Sequence, residues 1–426
     1  MIERPKGTRD FGPEEMSRRR HLEASFSSIA RRFGYREVAT PTFEHAELFI
    51  AKSGPAIVEE MYVFKDKGGR ELALRPELTA PVIRFYLNEL QSRAKPLKVY
   101  YLGSCYRYDE PQFGRFREFY QFGVEILGGT PLESDAEVIA TAVGAVKEAG
   151  LKGFQVRVGH IGLIRDLLQM DPSKKAAIIN RLDKRDVEGL KQELKAEGIG
   201  DMADILLELV GLKGGEEVLD RVSKVLRDHA REIETEALEY LMLLGDRLRL
   251  YGIEDVVYDL GVVRGLDYYT GMVFEIHYDL LGAASQICGG GAYSLTDVFG
   301  GEPLPTTGFG MGFDRVLLAL EKSGVQLPAA VLDVFVIPIG DHMRDPAYQV
   351  LRLIRQTGAS ADVDLVGRGP SKNLEFAHSL RSRYAVLVGE REWKEGKVAL
   401  KDMESGDQRD LLLDELASFF EDNGTV

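Results

Sequence analysis

An arginine, an aspartate and two adjacent tyrosines come just before an apolar strand in VVRGLDYYTGMVFEIHYD, residues 262–279. From Met272 onward the two faces alternate with the period of two that is typical of a half-buried antiparallel strand. Arg264, Asp267, Tyr268 and Tyr269 therefore stand at the entrance of that strand. The sequence raises the question of which group these polar side chains hold.

Three arginines, Arg107, Arg115 and Arg117, lie close to one turn in CYRYDEPQFGRFREFYQFGVE, residues 105–125. Guanidinium groups suit phosphate and carboxylate ligands. After the turn, the strand period places on one face the residues Arg117, Phe119, Gln121, Gly123 and Glu125. A polar strand face in an apolar protein predicts a lined cavity. The alternative is a solvated face with surface ion pairs.

Two other stretches place polar residues at predicted helix starts. LRPELTAPVIRF, residues 74–85, offers Glu77 and Thr79, and simple helix capping is the alternative to ligand binding there. FGMGFDRVLLAL, residues 309–320, places Arg315 in a first turn, where it opposes the helix dipole and needs an anion. A pair with Asp314 or another acid is the alternative. Glycines nearby allow close approach to the backbone.

Composition limits the class of protein. A chain of 426 residues predicts two or three domains. The net charge of −14 argues against non-specific nucleic-acid binding over a broad surface, although a local basic groove remains compatible with it. Two distant cysteines and scattered histidines predict neither a metal site nor a disulfide framework. No membrane span or secretory signal is apparent, so we expect a cytoplasmic protein.

The first part of the chain, residues 1–160, predicts an α+β body. We expect a helix over 13–33, a strand over 36–44 that contains Pro41, and a helix over 134–150 with Ser134 as N-cap. Residues 97–108 and 117–128 predict two strands of an antiparallel hairpin.

The remaining chain divides by composition. Residues 161–250 are rich in Lys, Glu, Leu and Ala and predict a helical insertion, and residues 251–325 return to strands. Residues 328–426 alternate strands with helices, one of them capped by Asp345. They therefore predict a compact α/β domain with a mostly parallel sheet.

Taken together, these stretches resemble the histidyl-tRNA synthetase family of class II aminoacyl-tRNA synthetases. The resemblance covers nearly the whole chain, with motifs in family order. KGTRDFGPEE through YREVATPTFE resembles the family's opening and motif 1, YRYDEPQFGRFREF motif 2, and GFGMGFDR motif 3. VVRGLDYYTGMVFE and ICGGGAY resemble the two histidine signatures. The resemblance implies a class II antiparallel sheet with flanking helices, a helical insertion and a C-terminal α/β anticodon-binding domain.

The resemblance also implies roles for residues. Arg107 would contact the α-phosphate of ATP with Arg264 opposite, and Arg315 and Arg115 would bind the triphosphate. Glu125 and Tyr269 would contact the imidazole nitrogens. The implied catalytic residues are Arg107, Arg264 and Gln121, and the implied histidine-binding residues are Glu77, Thr79, Arg107, Gln121, Glu125, Arg264, Tyr268, Tyr269 and Tyr293. Asp267 is expected to be structural.

The implied substrates are L-histidine, ATP with Mg²⁺ as a substrate complex, and tRNA(His), and the implied assembly is a homodimer with Pro41 at its interface. In the tail, 12 Lys and Arg stand against 17 Asp and Glu. Its basic residues gather in GRGPSKNLEFAHSLRSR, which predicts tRNA contacts through Arg368 and Lys372. A solvated helix face is the alternative.

The chain departs from the family pattern at three places. The motif 2 turn has Asp109-Glu110-Pro111 where Glu-Arg-Pro is common, which puts in doubt how the acceptor end of the tRNA is read. The second signature lacks its usual Arg and Asp, with Ala292 and Ser294 instead. Asp314 replaces the usual Glu before the motif 3 arginine, and we expect its role to be kept.

Two rival functions belong to different classes. One is the catalytically inactive, histidine-sensing regulatory paralogue of the ATP phosphoribosyltransferase complex, which usually lacks the tail and has eroded signatures. The other is a class II synthetase for another amino acid. The tail and the presence of Arg107, Arg264 and Arg315 favour the histidine enzyme over both.

Overall fold

The computed structural model describes residues 2–110, 114–168, 170–183, 186–228, 236–262, 269–328 and 331–423. Arg264, Asp267 and Tyr268, which the sequence singles out, lie outside these ranges. The chain divides into two compact units. Residues 1–12 and 19–327 form the first unit, and residues 13–18 and 328–426 form the second.

Strands and helices alternate irregularly up to residue 327. The strands are β1 (Arg36–Glu37), β2 (Phe43–His45), β3 (Val63–Lys65), β4 (Glu71–Leu74), β5 (Leu97–Tyr106), β6 (Glu118–Leu127), β7 (Gln155–His160), β8 (Lys213–Gly214), β9 (Val256–Asp259), β10 (Tyr269–His277), β11 (Gln286–Tyr293) and β12 (Thr306–Gly312). The α-helices are α1 (Pro13–Arg32), α2 (Ala46–Ser53), α3 (Thr79–Phe85), α4 (Pro131–Glu148), α5 (Gly162–Arg165), α6 (Pro172–Asp183), α7 (Val187–Ala196), α8 (Met202–Val210), α9 (Glu217–Asp228), α10 (Glu236–Leu250) and α11 (Phe313–Lys322). Short 3₁₀ segments cover Pro55–Glu60 and Asp279–Ala284, and a π-helical turn covers Tyr86–Leu90.

A large sheet forms the centre of the first unit. Within the described residues its strand order is β1-β5-β6-β12-β11-β10-β7-β9-β8. The pairs are antiparallel except for β1 with β5 and β7 with β9. The predicted α+β class, with an antiparallel central sheet and flanking helices, is confirmed.

Aromatic packing fixes helix α1 on this sheet. Leu22, Phe26 and Ile29 recur at helical spacing and are buried. The Phe26 ring stacks on Phe122 of β6 with centroids 4.8 Å apart and meets Phe313 edge-on at 5.8 Å. The apolar stripe that predicts the helix is thus also the surface that binds it to the sheet.

The predicted hairpin is confirmed, because β5 and β6 pair antiparallel with Gly103 opposite Gln121 and Val99 opposite Glu125. Residues 36–44, in contrast, do not form the single strand that was predicted, since β1 ends at Glu37 and β2 begins at Phe43, which leaves Pro41 between them. Pro41 has no backbone N–H to give to a ladder.

Helix α4 also begins earlier than predicted. Pro131 occupies its first turn and Thr130 is the N-cap, so Ser134 lies one turn inside the helix rather than capping it. A proline is well suited to the first turn because its missing N–H would have no partner there.

The predicted helical character of residues 161–250 is confirmed. Between β7 and β9 the described chain consists of α5 to α10 with only the two-residue strand β8. Leu190, Leu194, Leu206 and Leu244 are among its fully buried side chains. The amphipathic spacing of leucines, with charged residues on the other faces, produces these helices.

The second unit contains a mixed five-stranded sheet within the described residues. The strands are β13 (Val334–Pro338), β14 (Ala361–Val363), β15 (Tyr384–Val388), β16 (Lys397–Asp402) and β17 (Gln408–Leu412), and the helices are α12 (Arg344–Gln356), α13 (Pro370–Ser379), α14 (Glu390–Lys394) and α15 (Leu413–Asn423). The order is β14-β13-β15-β16-β17. Pairs on the β14 side are parallel and those on the β17 side antiparallel.

The prediction of a mostly parallel sheet in the tail is therefore wrong at one edge. The turn at residues 403–407 is too short for a crossover helix, so β16 and β17 form a hairpin. Asp345 does not cap α12 either, because the helix begins at Arg344 with Met343 as N-cap.

Candidate active site

A cavity of about 510 Å³ lies within the first unit. Strands β6, β10, β11 and β12 contribute its lining, together with the start of α3 and the start of α11. Every described residue that the sequence predicts for histidine or ATP binding lines it, namely Glu77, Thr79, Arg107, Arg115, Gln121, Glu125, Tyr269, Tyr293 and Arg315. The structure thus brings together residues that are more than 200 positions apart in the chain.

Glu125 is the most deeply buried acid of the cavity, with 1% of its surface exposed. Its Oε1 accepts a hydrogen bond of 3.0 Å from the Tyr101 hydroxyl, and its Oε2 accepts one of 2.6 Å from the Tyr293 hydroxyl. Burial raises the pKa of Glu125 to about 7, against the opposing effect of the hydroxyl groups and the Lys52 charge. The carboxyl group can therefore gain or lose a proton near neutral pH.

Two glycines on β12 make room for the polar face of β6. Across the ladder Gly308 pairs with Glu125 and Gly310 with Gly123, two residues along from Gln121. A side-chain carbon at Gly308 would overlap Glu125 Oε2, and one at Gly310 would overlap the Gln121 amide. The space that these glycines leave next to the backbone is thus filled by the side chains of Glu125 and Gln121, which lie across β12. The predicted strand face of Phe119, Gln121 and Glu125 lines the cavity.

Glu77 combines the two roles that the sequence left open. Its carboxylate accepts hydrogen bonds from the backbone N–H groups of Thr79, at 2.7 Å, and Ala80, at 3.1 Å, at the start of α3. It also forms an ion pair of 3.1 Å with Lys52, whose side chain is 6% exposed. Helix capping is confirmed, and the same carboxylate lines the cavity.

The arginines of the cavity are oriented by backbone carbonyl groups. Arg107 Nε donates to Pro76 O at 3.1 Å, and its guanidinium lies 5.3 Å from the centroid of the Phe119 ring. Arg315 donates to Gln286 O at 2.7 Å and to Gly114 O at 3.4 Å. Backbone carbonyls orient both guanidinium groups, and a guanidinium group suits an anionic ligand.

Asp314 pairs with other arginines rather than with Arg315. Its Oδ1 accepts from Arg9 and from Arg19, each at 2.6 Å, and its Oδ2 accepts from the Tyr120 backbone N–H at 3.0 Å. This buried cluster ties the N-terminal arm to the start of α11. The alternative of an Arg315–Asp314 pair is thus not what the structure contains.

Sequence reasoning missed two residues that contact the acids of the cavity. Tyr101 donates to Glu125, and its position could have been found from the pairing of β5 with β6. Lys52 comes from α2, where nothing in the local pattern distinguishes it from a surface lysine. Only its burial beside Glu77 identifies it.

The basic residues predicted in the tail have different environments. The Arg368 guanidinium forms an ion pair of 2.9 Å with Asp364 and lies 4.0 Å from the Phe376 ring centroid. Arg383 lies 3.8 Å from Asp333. Lys372 is exposed in the first turn of α13. Lys372 is thus better placed than Arg368 to meet a solvent-borne phosphate.

Sequence comparisons match nearly the whole chain. A family model described as histidyl-tRNA synthetase matches residues 7–316, and one described as an anticodon binding domain matches residues 333–423. A histidine–tRNA ligase of Archaeoglobus fulgidus is 45% identical over 99% of this chain and 100% of the relative. One of Methanocaldococcus jannaschii is 40% identical over 98% of this chain and 99% of the relative.

Solved structures with the same fold include a protein named only as a synthetase and one whose name also gives a regulatory function. Apo histidyl-tRNA synthetase of S. aureus is 30% identical, with a TM-score of 0.76 over 99% of this chain and 100% of that one. A Bacillus halodurans protein named as an ATP phosphoribosyltransferase regulatory subunit/histidyl-tRNA synthetase is 27% identical, with a TM-score of 0.75 over 91% and 98%.

Proposed function

The chain belongs to the histidyl-tRNA synthetase family, and on this premise we propose that its cavity activates L-histidine with ATP and passes the histidyl group to tRNA(His). The protein is an aminoacyl-tRNA ligase. In the first step a histidine carboxylate oxygen attacks the α-phosphorus, and the bond to the leaving pyrophosphate breaks. In the second step the terminal ribose hydroxyl of the tRNA attacks the histidyl carbonyl carbon, and AMP leaves.

The observation that carries the proposal is the buried acid Glu125 inside a cavity that also contains two carbonyl-held arginines. A carboxylate at the closed end suits an imidazole N–H, and Tyr269 lines the same cavity. An analogue without ring nitrogens would leave Glu125 buried without that partner, which gives selectivity for histidine. Tyr293 holds Glu125 in place through its hydroxyl.

Glu77 and Thr79 at the start of α3 are proposed to receive the α-amino group, with Gln121 beside them. Glu77 already lies against Lys52 and accepts from the Thr79 backbone N–H, so its carboxylate is oriented before the substrate binds. Tyr268 and Arg264 are proposed to complete the histidine site, on the strength of the family signature alone.

The arginines are proposed to gather the charge of the triphosphate. Arg107 would contact the α-phosphate, Arg264 would face it from the other side, and Arg115 and Arg315 would bind the β- and γ-phosphates. Positioning and fixed cations supply most of the catalysis in phosphoryl chemistry of this kind. ATP is proposed to enter with Mg²⁺ as a substrate complex, and the described residues contain no cluster of three metal-binding side chains.

The test is ATP–pyrophosphate exchange with purified protein, offering each standard amino acid separately and without tRNA. Exchange with histidine alone is the expected result. Arg264→Ala should abolish exchange and also weaken histidine binding, because that arginine is proposed to contact both the α-phosphate and the histidine. Exchange with another amino acid would contradict the assignment of Glu125 and Tyr269.

The regulatory paralogue is the second candidate, because the name of the similar Bacillus halodurans protein includes that function. The chain is matched by the anticodon-binding family model over residues 333–423, and its cavity keeps Arg107 and Arg315. These features favour the ligase. Protein that binds histidine but supports no exchange with any amino acid would favour the regulatory function instead.

An exposed aromatic surface supports the proposal of a homodimer. Phe43 and Phe64, on the sheet β2-β4-β3, are 54% and 42% exposed, and their rings meet edge-on at 6.5 Å. Val63 on the same sheet and Tyr108 are exposed too. A second copy of the chain would remove this apolar surface from water.

Phe43→Glu should shift the protein towards monomer in analytical ultracentrifugation, and an unchanged dimer would contradict this interface.

The remaining proposals concern organisation. We propose residues 1–160 and 251–325 as a discontinuous catalytic core, residues 161–250 as an insertion and residues 328–426 as the anticodon-binding domain. Arg368 and Lys372 are proposed tRNA contacts, and the cytoplasm is the proposed compartment. No helix in the described chain combines the length and the apolar character needed to cross a membrane.

A further inference from the structure

A second cavity, of about 230 Å³, lies in the first unit and shares only Tyr293 with the candidate active site among the described lining residues. Helices α4 and α10 and strands β7, β10, β11 and β12 supply its walls. The space is large enough for several water molecules. Nothing in the proposed ligase reaction uses this space.

Two buried polar side chains in its wall lack a hydrogen-bond partner on one atom. Asp135 is 1% exposed and Thr307 is 2% exposed. Asp135 Oδ2 accepts from the Tyr240 hydroxyl at 2.6 Å, but Asp135 Oδ1 and Thr307 Oγ1 have no partner in the described chain. Thr307 lies close enough to Asp135 for its hydroxyl to oppose the effect of burial on the pKa of that carboxyl group. Buried polar atoms are almost always paired, so these two predict a bound partner.

His160 also lines the cavity and can offer a ring N–H. His160 Nδ1 accepts from the Gly162 backbone N–H at 3.1 Å, so the ring proton is on Nε2. Burial, helped by the Arg165 charge, lowers the pKa of His160 to about 4, which keeps the ring neutral. His160 Nε2 lies 3.7 Å from the point where a side-chain carbon at Gly271, another lining residue, would stand.

The charge of the wall selects the ligand. Among the described lining residues there is no lysine or arginine, and Asp135 is the only carboxylic acid. Ala292, which also lines the cavity, adds only a methyl group. A cation would pair with the carboxylate, whereas an anion would be repelled by it at close range.

We propose that this cavity is a binding site for a small organic cation, a primary ammonium ion that also carries a hydroxyl group. The ammonium group donates to Asp135 Oδ1 and Thr307 Oγ1, and the hydroxyl accepts from His160 Nε2–H. Tyr293, which forms the shared wall, donates to Glu125 in the active site. Occupancy of the second cavity therefore changes the packing of a residue that positions the histidine-recognising acid.

The test is a saturation-transfer NMR titration of the full chain with ethanolamine, in saturating histidine and at alkaline pH. Histidine blocks the amine site beside Glu77. Alkaline pH keeps Asp135 ionised, because burial raises its pKa to about 7. Saturable binding is expected, with ethylene glycol about tenfold weaker or more, since it replaces a charge-assisted hydrogen bond with a neutral one.

Three variants locate the site. Asp135→Asn keeps the shape and should weaken ethanolamine binding about tenfold or more. Thr307→Val removes one hydrogen bond without altering the charge and keeps the test readable if Asp135→Asn does not fold. Ala292→Met should prevent binding by filling the cavity. Glu77→Gln is the matched control in the active site and should leave ethanolamine binding unchanged.

The outcomes that overturn the proposal are distinct. No saturable binding means that the cavity holds water only. Equal affinity for ethylene glycol means that the carboxylate does not select charge. Binding that Glu77→Gln abolishes and Asp135→Asn spares belongs to the active site. None of these results depends on pyrophosphate exchange, so they test the second cavity independently of the proposed ligase function.

Discussion

At the scale of single residues, the cavity depends on how a few charges are stabilised. Glu125 is buried and its pKa is raised, while Glu77 pairs with Lys52 and accepts hydrogen bonds from two backbone N–H groups. Two carboxyl groups in one cavity thus have opposite environments. Different environments allow one acid to hold an ammonium group permanently and the other to respond to the protonation of an imidazole.

Glu125→Gln should lower kcat/KM for histidine in pyrophosphate exchange by about a hundredfold, because the charge-assisted contact to the ring is lost. In the parent protein, kcat/KM for histidine should rise as the pH increases through about 7, since Glu125 is protonated below that value. The amide cannot titrate, so this part of the pH profile should disappear in the variant. Glu118→Gln, on the same strand but outside the cavity lining, is the control. A profile unchanged by Glu125→Gln would contradict the role of the carboxyl group.

Arg315→Ala should raise the KM for ATP about tenfold or more and change the KM for histidine by less than about twofold. The arginine sits in the first turn of α11, where a cation opposes the helix dipole, so its removal should not destabilise the helix. Steady-state exchange kinetics and thermal unfolding of the same preparation measure both effects. A large loss of thermal stability with an unchanged KM for ATP would make Arg315 structural.

At the scale of elements, the pairing of the strands positions the side chains of the active site. Strand β12 carries glycine at alternate positions opposite Gln121 and Glu125, and this register lets both side chains cross the neighbouring strand. Strand β5 adds Tyr101 from the other side. The placement of Gln121 and Glu125 in the cavity therefore requires β5, β6 and β12 to pair in this register.

Gly308→Ala should destabilise the protein by about 1–3 kcal/mol, because the added methyl group overlaps both Glu125 and the Val124 carbonyl oxygen. Chemical denaturation followed by circular dichroism measures the change in the free energy of unfolding. Gly369→Ala is the matched control, since nothing lies within 4 Å of the added carbon there. Equal effects at both positions would show that loss of glycine, rather than overlap, is responsible.

The sequence predicts the elements well where periodicity is strong and poorly where single residues decide. The stripe of Leu22, Phe26 and Ile29 predicts α1, and alternation predicts β5 and β6. Two of the wrong predictions lie at prolines, because Pro41 separates two strands and Pro131 starts α4 before Ser134. The others lie in the second unit, where β16 and β17 form a hairpin and α12 begins before Asp345. In the site, motif residues could be found from sequence, whereas Lys52 and Tyr101 act through tertiary burial that no local pattern records.

At the scale of the whole molecule, the two compact units predict two separable activities. Adenylate formation needs only the cavity of the first unit, while tRNA charging also needs contacts from the second under the proposed function. The tail has more acidic than basic residues, so its binding surface must be local. Arg368 is partly committed to Asp364 and Phe376, which leaves Lys372 as the cleaner probe.

Lys372→Glu should lower the rate of tRNA charging at limiting tRNA about tenfold and leave pyrophosphate exchange unchanged, because a phosphate contact becomes a repulsion. The salt dependence of charging should also weaken. Lys394→Glu, a charge reversal on α14, is the control. Arg368→Glu should reduce charging too, but with a loss of thermal stability because its ion pair is broken. Equal loss of exchange and charging in Lys372→Glu would contradict the assignment.

The alternation of glycine with polar side chains across β12 and β6 has a consequence for how this chain can vary. The three atoms nearest to the side-chain carbon that Gly310→Ala introduces all belong to Gln121, so the two positions are expected to be epistatic. Gly310→Ala should be costly alone and much less costly after Gln121→Ala, and a double-mutant cycle of unfolding free energies measures the coupling. Substitutions at Gly310 and Gln121 would then be accepted only as pairs. A change of amino-acid specificity that involves Gln121 would therefore require a substitution on β12 as well as on β6.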